Sequence, residues 1–483
     1  METTRNKILS NTFIQFIGKG VGLALGILTI SFISRSLGVE GFGRFTTIVT
    51  YLGFFGVFLD LGLYLIIVKH ITERLEDAPS ILGSFLVLKL FLFIVLFVVM
   101  LVVLFFLPYD EFIRKGILIA SFYILFISMM QTIDAYFQSK LIMLYAVISD
   151  VAQRLVFALI AIAAFVFLPN VLFVSLGLTI STFIAFFISW LLIIRMIPIN
   201  WHFDWSLIKP IIIEALPIGL VVIITIFYFK VDMLILSFLK GNRDVGIYGG
   251  PYKIIDVLTV VPWLFTGNVF SVLVKNKEQY QHYLQRSIDF MSLVAWPILA
   301  IIFILARPIM NLLLGSQFVD VSTVNFFGIP ATPPLILQVL IFFIFIYFFD
   351  QIFRDFLIAF NLQKKILTST LIVFVANLIL NFIFVPKFSY VASGLITVFT
   401  GLISLFLTYY FLRKDISFTL RFSIFFKSAF AALIMGTVLF VLRHFSLLIL
   451  LPFGGLLYCI LLLIFRVIDL KEIRSIFAPK GDD

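Results

Sequence analysis

Eight residues of this chain place a charge or a phenol inside long apolar runs: Lys19, Asp60, Lys230, Asp232, Tyr248, Tyr252, Lys253 and Asp256. A charge deep in hydrocarbon is costly, so each is expected to face a cavity or a partner. Tyr248, Tyr252, Asp256 and Thr259 recur at spacings of three and four, one face of a helix, with Lys253 beside them. Phenol rings with a few polar tips suit a sugar, which offers apolar ring faces and many hydroxyls. The alternative is a Lys253–Asp256 pair at i, i+3 that satisfies itself inside a packed bundle. Lys230 and Asp232 are two apart and cannot face each other, and Lys230 lies near a helix end where it could snorkel. No residues are arranged for covalent chemistry. The single cysteine, Cys459, excludes a disulfide framework and a cysteine metal site, and the four histidines are scattered, so no cofactor is implied.

Nearer the start, Asn11, Gln15, Gly18, Lys19, Gly22 and Gly26 form one helical stripe. Lys19 lies about 16 Å from the inner end, close to the midplane at 1.5 Å per residue. Either it faces a cavity, or it snorkels from a glycine packing seam. Gly53, Gly56 and Asp60 make a similar stripe, and Asp60 could be hydrated at the inner end. Asp150–Arg154 and Asp350–Arg354 are i, i+4 pairs with the acid first, the favourable order, and read mainly as structural ion pairs. Lys89 is ambiguous. Asn377 and Asn381 are placed to hydrogen-bond between helices.

The elements that must position these residues are transmembrane helices. Of 483 residues, 62% are hydrophobic and 12% charged, which excludes a soluble globular protein. The net charge of +10 would suggest nucleic acid in a soluble chain. Here the basic residues cluster at helix ends, a positive-inside pattern, and no nucleic-acid partner is expected. With about 20 apolar residues per crossing, the chain divides into about 14 spans. Those that matter below are Ile8–Ser34, Phe45–Val68, Phe112–Gln138, Ile211–Leu239 and Val245–Val274. The first is too long for a signal-peptide core and is expected to remain as a helix. With the N-terminus inside, about 21 Lys and Arg fall on the inner side, about 9 on the outer and about 5 within spans, which places both termini in the cytoplasm. No loop is large enough for a catalytic domain, and the phosphate-binding loop G-x-x-x-x-G-K-[ST] is absent, so ATP is not the direct fuel.

The chain also repeats itself. Gly38-Val39-Glu40-Gly41-Phe42-Gly43-Arg44-Phe45 aligns with Gly241-Asn242-Arg243-Asp244-Val245-Gly246-Ile247-Tyr248, with both end glycines and the final aromatic in register. Each copy sits in a short turn between two long apolar segments. Two halves built on one plan are expected, the second starting near Ser206.

Several stretches resemble the polysaccharide-biosynthesis, or Wzx-type, flippases of the multidrug/oligosaccharidyl-lipid/polysaccharide exporter (MOP) superfamily. They are Arg35-Ser36-Leu37-Gly38-Val39-Glu40-Gly41-Phe42-Gly43, Leu59-Asp60-Leu61-Gly62-Leu63, Lys230-Val231-Asp232-Met233, Val245-Gly246-Ile247-Tyr248 with Tyr252-Lys253, Asn377-Leu378-Ile379-Leu380-Asn381, Phe384-Val385-Pro386 and Ala392-Ser393-Gly394. Each motif is short and apolar, but together they span nearly the whole chain. Ser389-Tyr390 departs from the glycine-containing turn usual there.

The resemblance implies an all-α, MATE-like integral membrane fold: six-helix bundles at 1–200 and 201–415, related by a pseudo-twofold, then two helices and a cytoplasmic tail at 416–483. It implies that helices one, two, seven and eight line an alternating-access cavity in a bacterial inner membrane. The cargo implied is an undecaprenyl-pyrophosphate-linked oligosaccharide moved to the outer leaflet, with membrane lipids around it. Polysaccharide polymerase machinery as a partner and H+ or Na+ as a coupling ion fit the same picture. Lys19, Lys230 and Lys253 are then candidates for the pyrophosphate, and Asp60, Asp232, Tyr248, Tyr252 and Asp256 for the rest of the cargo. Two rivals are a cation-coupled multidrug exporter of the same fold and a membrane glycan polymerase or ligase. A polymerase needs catalytic residues on a sizeable outer loop, and the longest, near Gly315–Pro334, offers only Asp320.

Overall fold

A computed structural model describes residues 2–275 and 277–467; the expected cytoplasmic tail beyond them lies outside the described residues. The chain runs α1 (Glu2–Asp60), α2 (Leu63–Glu73), α3 (Ala78–Phe106), α4 (Glu111–Ser139), α5 (Leu144–Val166), α6 (Val171–Ile193), α7 (Trp205–Leu239), α8 (Asn242–Leu258), α9 (Val260–Lys275), α10 (Tyr280–Leu314), α11 (Pro333–Ala359), α12 (Gln363–Asp415), α13 (Ser423–Val441) and α14 (Leu447–Ile464). Short polar residues start several of these. Asp110 accepts from the Ile113 amide at 2.8 Å, Asn170 from Leu172 at 2.8 Å, and Asp204 from Ser206 at 2.9 Å and Leu207 at 3.2 Å. Each satisfies amides that helix geometry leaves open.

Among the described residues, 11 helices are long and apolar enough to cross a membrane. Two of them are too long for one crossing. Gly38 (φ 69, ψ −178) breaks α1, and Ser389 (φ 49, ψ −136) breaks α12. Fourteen crossings require dividing both there and joining α8 to α9 as one broken crossing.

The structure corrects three element boundaries. The second predicted span is not continuous: it ends at Asp60, and Leu61 (φ 47) and Gly62 (φ 71) turn the chain before α2. The predicted Val245–Val274 helix is interrupted at Thr259, with Pro251 in α8 and Pro262 near the start of α9. The Gly315–Pro334 loop carries β1 (Asn325–Phe326) and β2 (Ile329–Pro330), an antiparallel hairpin and the only strands among the described residues. Phe327 (φ 50) and Gly328 (φ 79) supply the two left-handed residues its tight turn needs.

The chain forms two compact units. The first comprises Met1–Gly249, Leu313–Gln317 and Val385–Tyr390. Its core joins α2, α3, α4 and α7 through side chains such as Ile67, Phe85, Phe137 and Ile208, all fully buried. The second comprises Gly250–Leu312, Phe318–Phe384 and Val391–Asp483. There Asp350 is buried and fully engaged, accepting from Arg354 Nε at 2.7 Å, Ser404 Oγ at 2.9 Å and Thr408 Oγ1 at 2.7 Å. Asn377 donates to Thr400 Oγ1 at 3.2 Å, and Asn381 accepts from Ser393 at 3.2 Å.

Inside the first unit the two copies of the repeat meet. Gly38 and Gly241 occupy equivalent positions and both have positive φ, 69° and 87°, a conformation glycine enters freely. A Cβ on Gly43 would lie 1.8 Å from the Asn242 carbonyl oxygen, and one on Gly246 would lie 2.0 Å from that of Val39. Val39 and Asn242 are themselves equivalent in the repeat. The contact is therefore reciprocal: each copy presses the later of its two matched glycines onto the carbonyl of the residue after the other's first glycine. Such self-complementarity is what a twofold relation produces. Asp110 ties the arrangement to α4, accepting from Arg44 Nε at 2.8 Å and from Asn242 Nδ2 at 2.9 Å.

Gly43→Ala and Gly246→Ala should each destabilise the protein by about 1–3 kcal/mol, because the obstacle is backbone and cannot rotate away. Gly20→Ala, with open space around its Cβ, is the control. Thermal unfolding in detergent should lower the midpoint for the first two and spare the third.

Candidate functional site

The polar residues of the first unit converge on a cavity of about 770 Å³ between α1, α2, α4 and α5. From α1 it receives Gln15, Gly18, Lys19, Gly26 and Asp60, and from α2 Tyr64. The α4 wall is a helical stripe, Tyr123, Ile127, Met130, Gln131 and Asp134, and α5 adds Asp150, Gln153 and Arg154. Cations, carboxylates, amides, phenols and apolar faces share this space. An apolar groove of about 520 Å³ in the second unit, between α10, α11 and α13, has no charged group on its wall.

Each charge here has a definite setting. Lys89 of α3 is 0% exposed, and its Nζ donates to the Ser128 carbonyl at 2.9 Å. Asp60 Oδ1 lies 3.6 Å from the same nitrogen. At that separation the two charges attract without a direct hydrogen bond. Asp60 can hold this position because α1 ends at it, which turns its carboxylate out of the helix and toward α3. Lys19 is solvent-exposed on the cavity, so the most buried cation of the first half is Lys89 and not Lys19, as its midplane depth had suggested. Depth along a helix does not settle exposure when a cavity cuts into the bundle.

On α5, Arg154 Nε meets Asp150 Oδ2 at 3.0 Å, the expected i, i+4 pair. Arg154 also extends across Gly22, its Nη1 3.4 Å from the Gly22 carbonyl. A Cβ on Gly22 would lie 2.9 Å from Arg154 Nε. The glycine stripe of α1 thus makes room for the guanidinium at the cavity wall.

The remaining candidates lie elsewhere. Tyr248 is fully buried and donates to Asp232 Oδ2 at 2.5 Å. Tyr252 is buried as well, 2% exposed. Lys253 and Asp256 are 3.9 Å apart in the second unit, and Lys230 is half-buried on α7. None of these six lines the cavity of the first unit; of the eight candidates, Lys19 and Asp60 do. Asp134, Gln131, Tyr123 and Arg154 were not singled out as cavity groups from sequence. The signal for Asp134 was present: a carboxylate within an apolar span, three residues after Gln131 and eleven after Tyr123, on one face. It was passed over in reading the sequence.

The long apolar helices and the polar cavity among them define a polytopic membrane protein. A family model described as "Polysaccharide biosynthesis protein" matches residues 8–270, and the chain belongs to that family. A second model, described as MatE, matches residues 217–383. No curated protein matches the chain. Among solved structures, one described as "Lipid II flippase MurJ, inward closed conformation" is similar with a TM-score of 0.74 and 17% identity, over 95% of this chain and 99% of that one. An inward-facing multidrug resistance MATE family transporter is similar with a TM-score of 0.63 and 15% identity, over 82% and 95% of the two chains. A MOP superfamily transporter from Pyrococcus furiosus Vc1 gives 0.56 and 15%, over 84% and 95%.

Removing Lys89 alone should leave Asp60 facing a closed, poorly solvated wall. Lys89→Met is expected to cost about 3–5 kcal/mol, and Lys89→Met combined with Asp60→Asn to recover most of it. Unfolding midpoints of the two singles and the double in detergent give the coupling; additive losses would show that the two do not act as a pair.

Proposed function

We propose that the protein is a flippase that carries a polyprenyl-pyrophosphate-linked oligosaccharide from the cytoplasmic to the outer leaflet by alternating access. The observation that carries this reading is the composition of the cavity in a member of the polysaccharide biosynthesis family. Lys19 and Arg154 offer cations, and Gln15, Gln131, Gln153, Tyr64 and Tyr123 offer amides and phenols. A pyrophosphate is held by cations where water is scarce, and a glycan by scattered hydrogen-bonding groups and ring faces. The lipid tail can stay in the bilayer, so no pocket for it is required. Nothing in this reading calls for covalent chemistry. The one acid of the longest outer loop, Asp320, is engaged by Arg307 at 2.8 Å on the surface, a setting that suits a structural pair.

We place both halves of the repeat in the bacterial inner membrane with both termini in the cytoplasm, the second half running from 201 to 415 and the last two helices following it. Coupling to H+ or Na+ and delivery to polymerase machinery belong to the same proposal. A second reading, a cation-coupled multidrug exporter, draws support from the three cavity carboxylates Asp60, Asp134 and Asp150 and from the MATE-like fold.

Two measurements separate these readings. In a strain lacking the protein, polyprenyl-linked glycan should accumulate on the cytoplasmic face, and export should be restored by wild type and by Lys19→Arg, which keeps the charge. Lys19→Ala should lose export about ten- to a hundredfold, the worth of a charge-assisted contact, at equal membrane abundance. Were Lys19→Ala to export normally, Lys19 would be no ligand. Normal surface glycan with raised drug sensitivity would favour the exporter. Reporter fusions after Lys427 and at the C-terminus should both report a cytoplasmic location; an outside signal from either would reverse the orientation.

A further inference from the structure

The three carboxylates of the cavity are not equivalent. Asp150 is held by Arg154 at 3.0 Å; Asp60 Oδ1 is buried without a hydrogen-bond donor but is faced by the Lys89 ammonium at 3.6 Å, and no ion pair of that kind is formed by Asp134 among the described residues. Asp134 lines the same cavity, and its Oδ1 is shut off from solvent with no hydrogen-bond donor. A buried acceptor without a donor costs stability, and burial of a carboxylate in a membrane bundle raises that cost. A side chain kept in that condition on a cavity wall is one whose donor arrives with a ligand. Gln131, one turn earlier on α4, and Tyr123 are on the same stripe and face the same space. A change of the Asp134 side-chain torsions is enough to turn the sealed oxygen toward the cavity that the residue lines, where a donor can reach it.

We propose that Asp134 is a specificity-determining residue that accepts hydrogen bonds from the sugar end of the cargo, from hydroxyl groups or a sugar N–H, while the cations of the cavity hold the anionic end. This rests on the flippase reading. It divides the cavity by chemistry. Lys19 would recognise what every pyrophosphate lipid shares, and Asp134 what only a glycan-bearing one offers. A site built to receive such donors discriminates strongly against an analogue that lacks them, because its polar group is then left unpaired.

The test uses the purified full-length protein and two probes: lipid-linked glycan extracted from the deletion strain, and undecaprenyl pyrophosphate without sugar. Wild type should bind the glycan-bearing lipid more tightly. Asp134→Asn should lose about tenfold of that preference while binding bare undecaprenyl pyrophosphate as wild type does, and Lys19→Ala should weaken both. Asp134→Ser is assayed alongside, so a folding defect in one variant does not decide the result. Retention of the glycan preference by both folded variants, with or without a changed pH profile of transport, would overturn the assignment of Asp134. An equal loss for both probes would overturn it too. Failure of the deletion strain to accumulate lipid-linked glycan, or of wild type to bind either probe, would instead overturn the flippase reading.

Discussion

Two glycines that the internal repeat relates bring backbone against backbone inside the first unit. Gly43 lies against the Asn242 carbonyl and Gly246 against that of Val39. No side chain intervenes, so the turn after the first crossing and the turn before α8 are brought together at backbone distance. Membrane helices gain little from burying apolar surface against each other, since lipid is equally apolar, and close backbone packing supplies much of the attraction instead. The residues around this point follow from it. Asp110 caps α4 and holds both turns through Arg44 and Asn242. Asp244 of the second turn accepts from Ser389, which keeps a left-handed conformation where glycine would be easier. That hydroxyl offers a physical reason for serine at a turn where a glycine is usual.

A second constraint governs the charges. In a bilayer every polar group has to find its partner within the protein. The two units meet this in different ways. In the second, Asp350 is enclosed by Arg354, Ser404 and Thr408, a closed set with no need of anything further. In the first, Lys89 is closed off against the Ser128 carbonyl, but Asp60, Asp134, Asp150, Arg154 and Lys19 border an open cavity. Burial on all sides marks the structural pair, and exposure to the cavity marks the groups proposed above to meet a ligand. Asp350–Arg354 and Asp150–Arg154 share one sequence pattern and both pair, but the first is buried and the second borders the cavity.

Much of this was legible in the amino-acid sequence. Apolar runs of about 20 residues specify membrane helices whatever their neighbours, because the bilayer thickness is the same for all of them. The repeat at Gly38 and Gly241 could be read because turn geometry depends on local φ, and glycine records it. The polar stripe at helical spacing left Lys19 either on a cavity wall or snorkelling from a packing seam, and it lines the cavity. The partners of the charges were not legible in the same way. Lys89 and Asp60 are 29 residues apart and meet only because α1 stops at Asp60, where Leu61 and Gly62 turn the chain. Tyr248 and Asp232 looked like neighbours of a cavity, and the packing of α7 on α8 buries both. Asp134 was not singled out at all, and it lines the cavity together with residues of α1, α2 and α5. Sequence alone determined which segments enter the membrane and where the backbone must bend, since both depend on local chemistry. Tertiary structure decided which charges are sealed and which face the cavity, because that depends on which helix lies opposite, and helical periodicity does not carry that information.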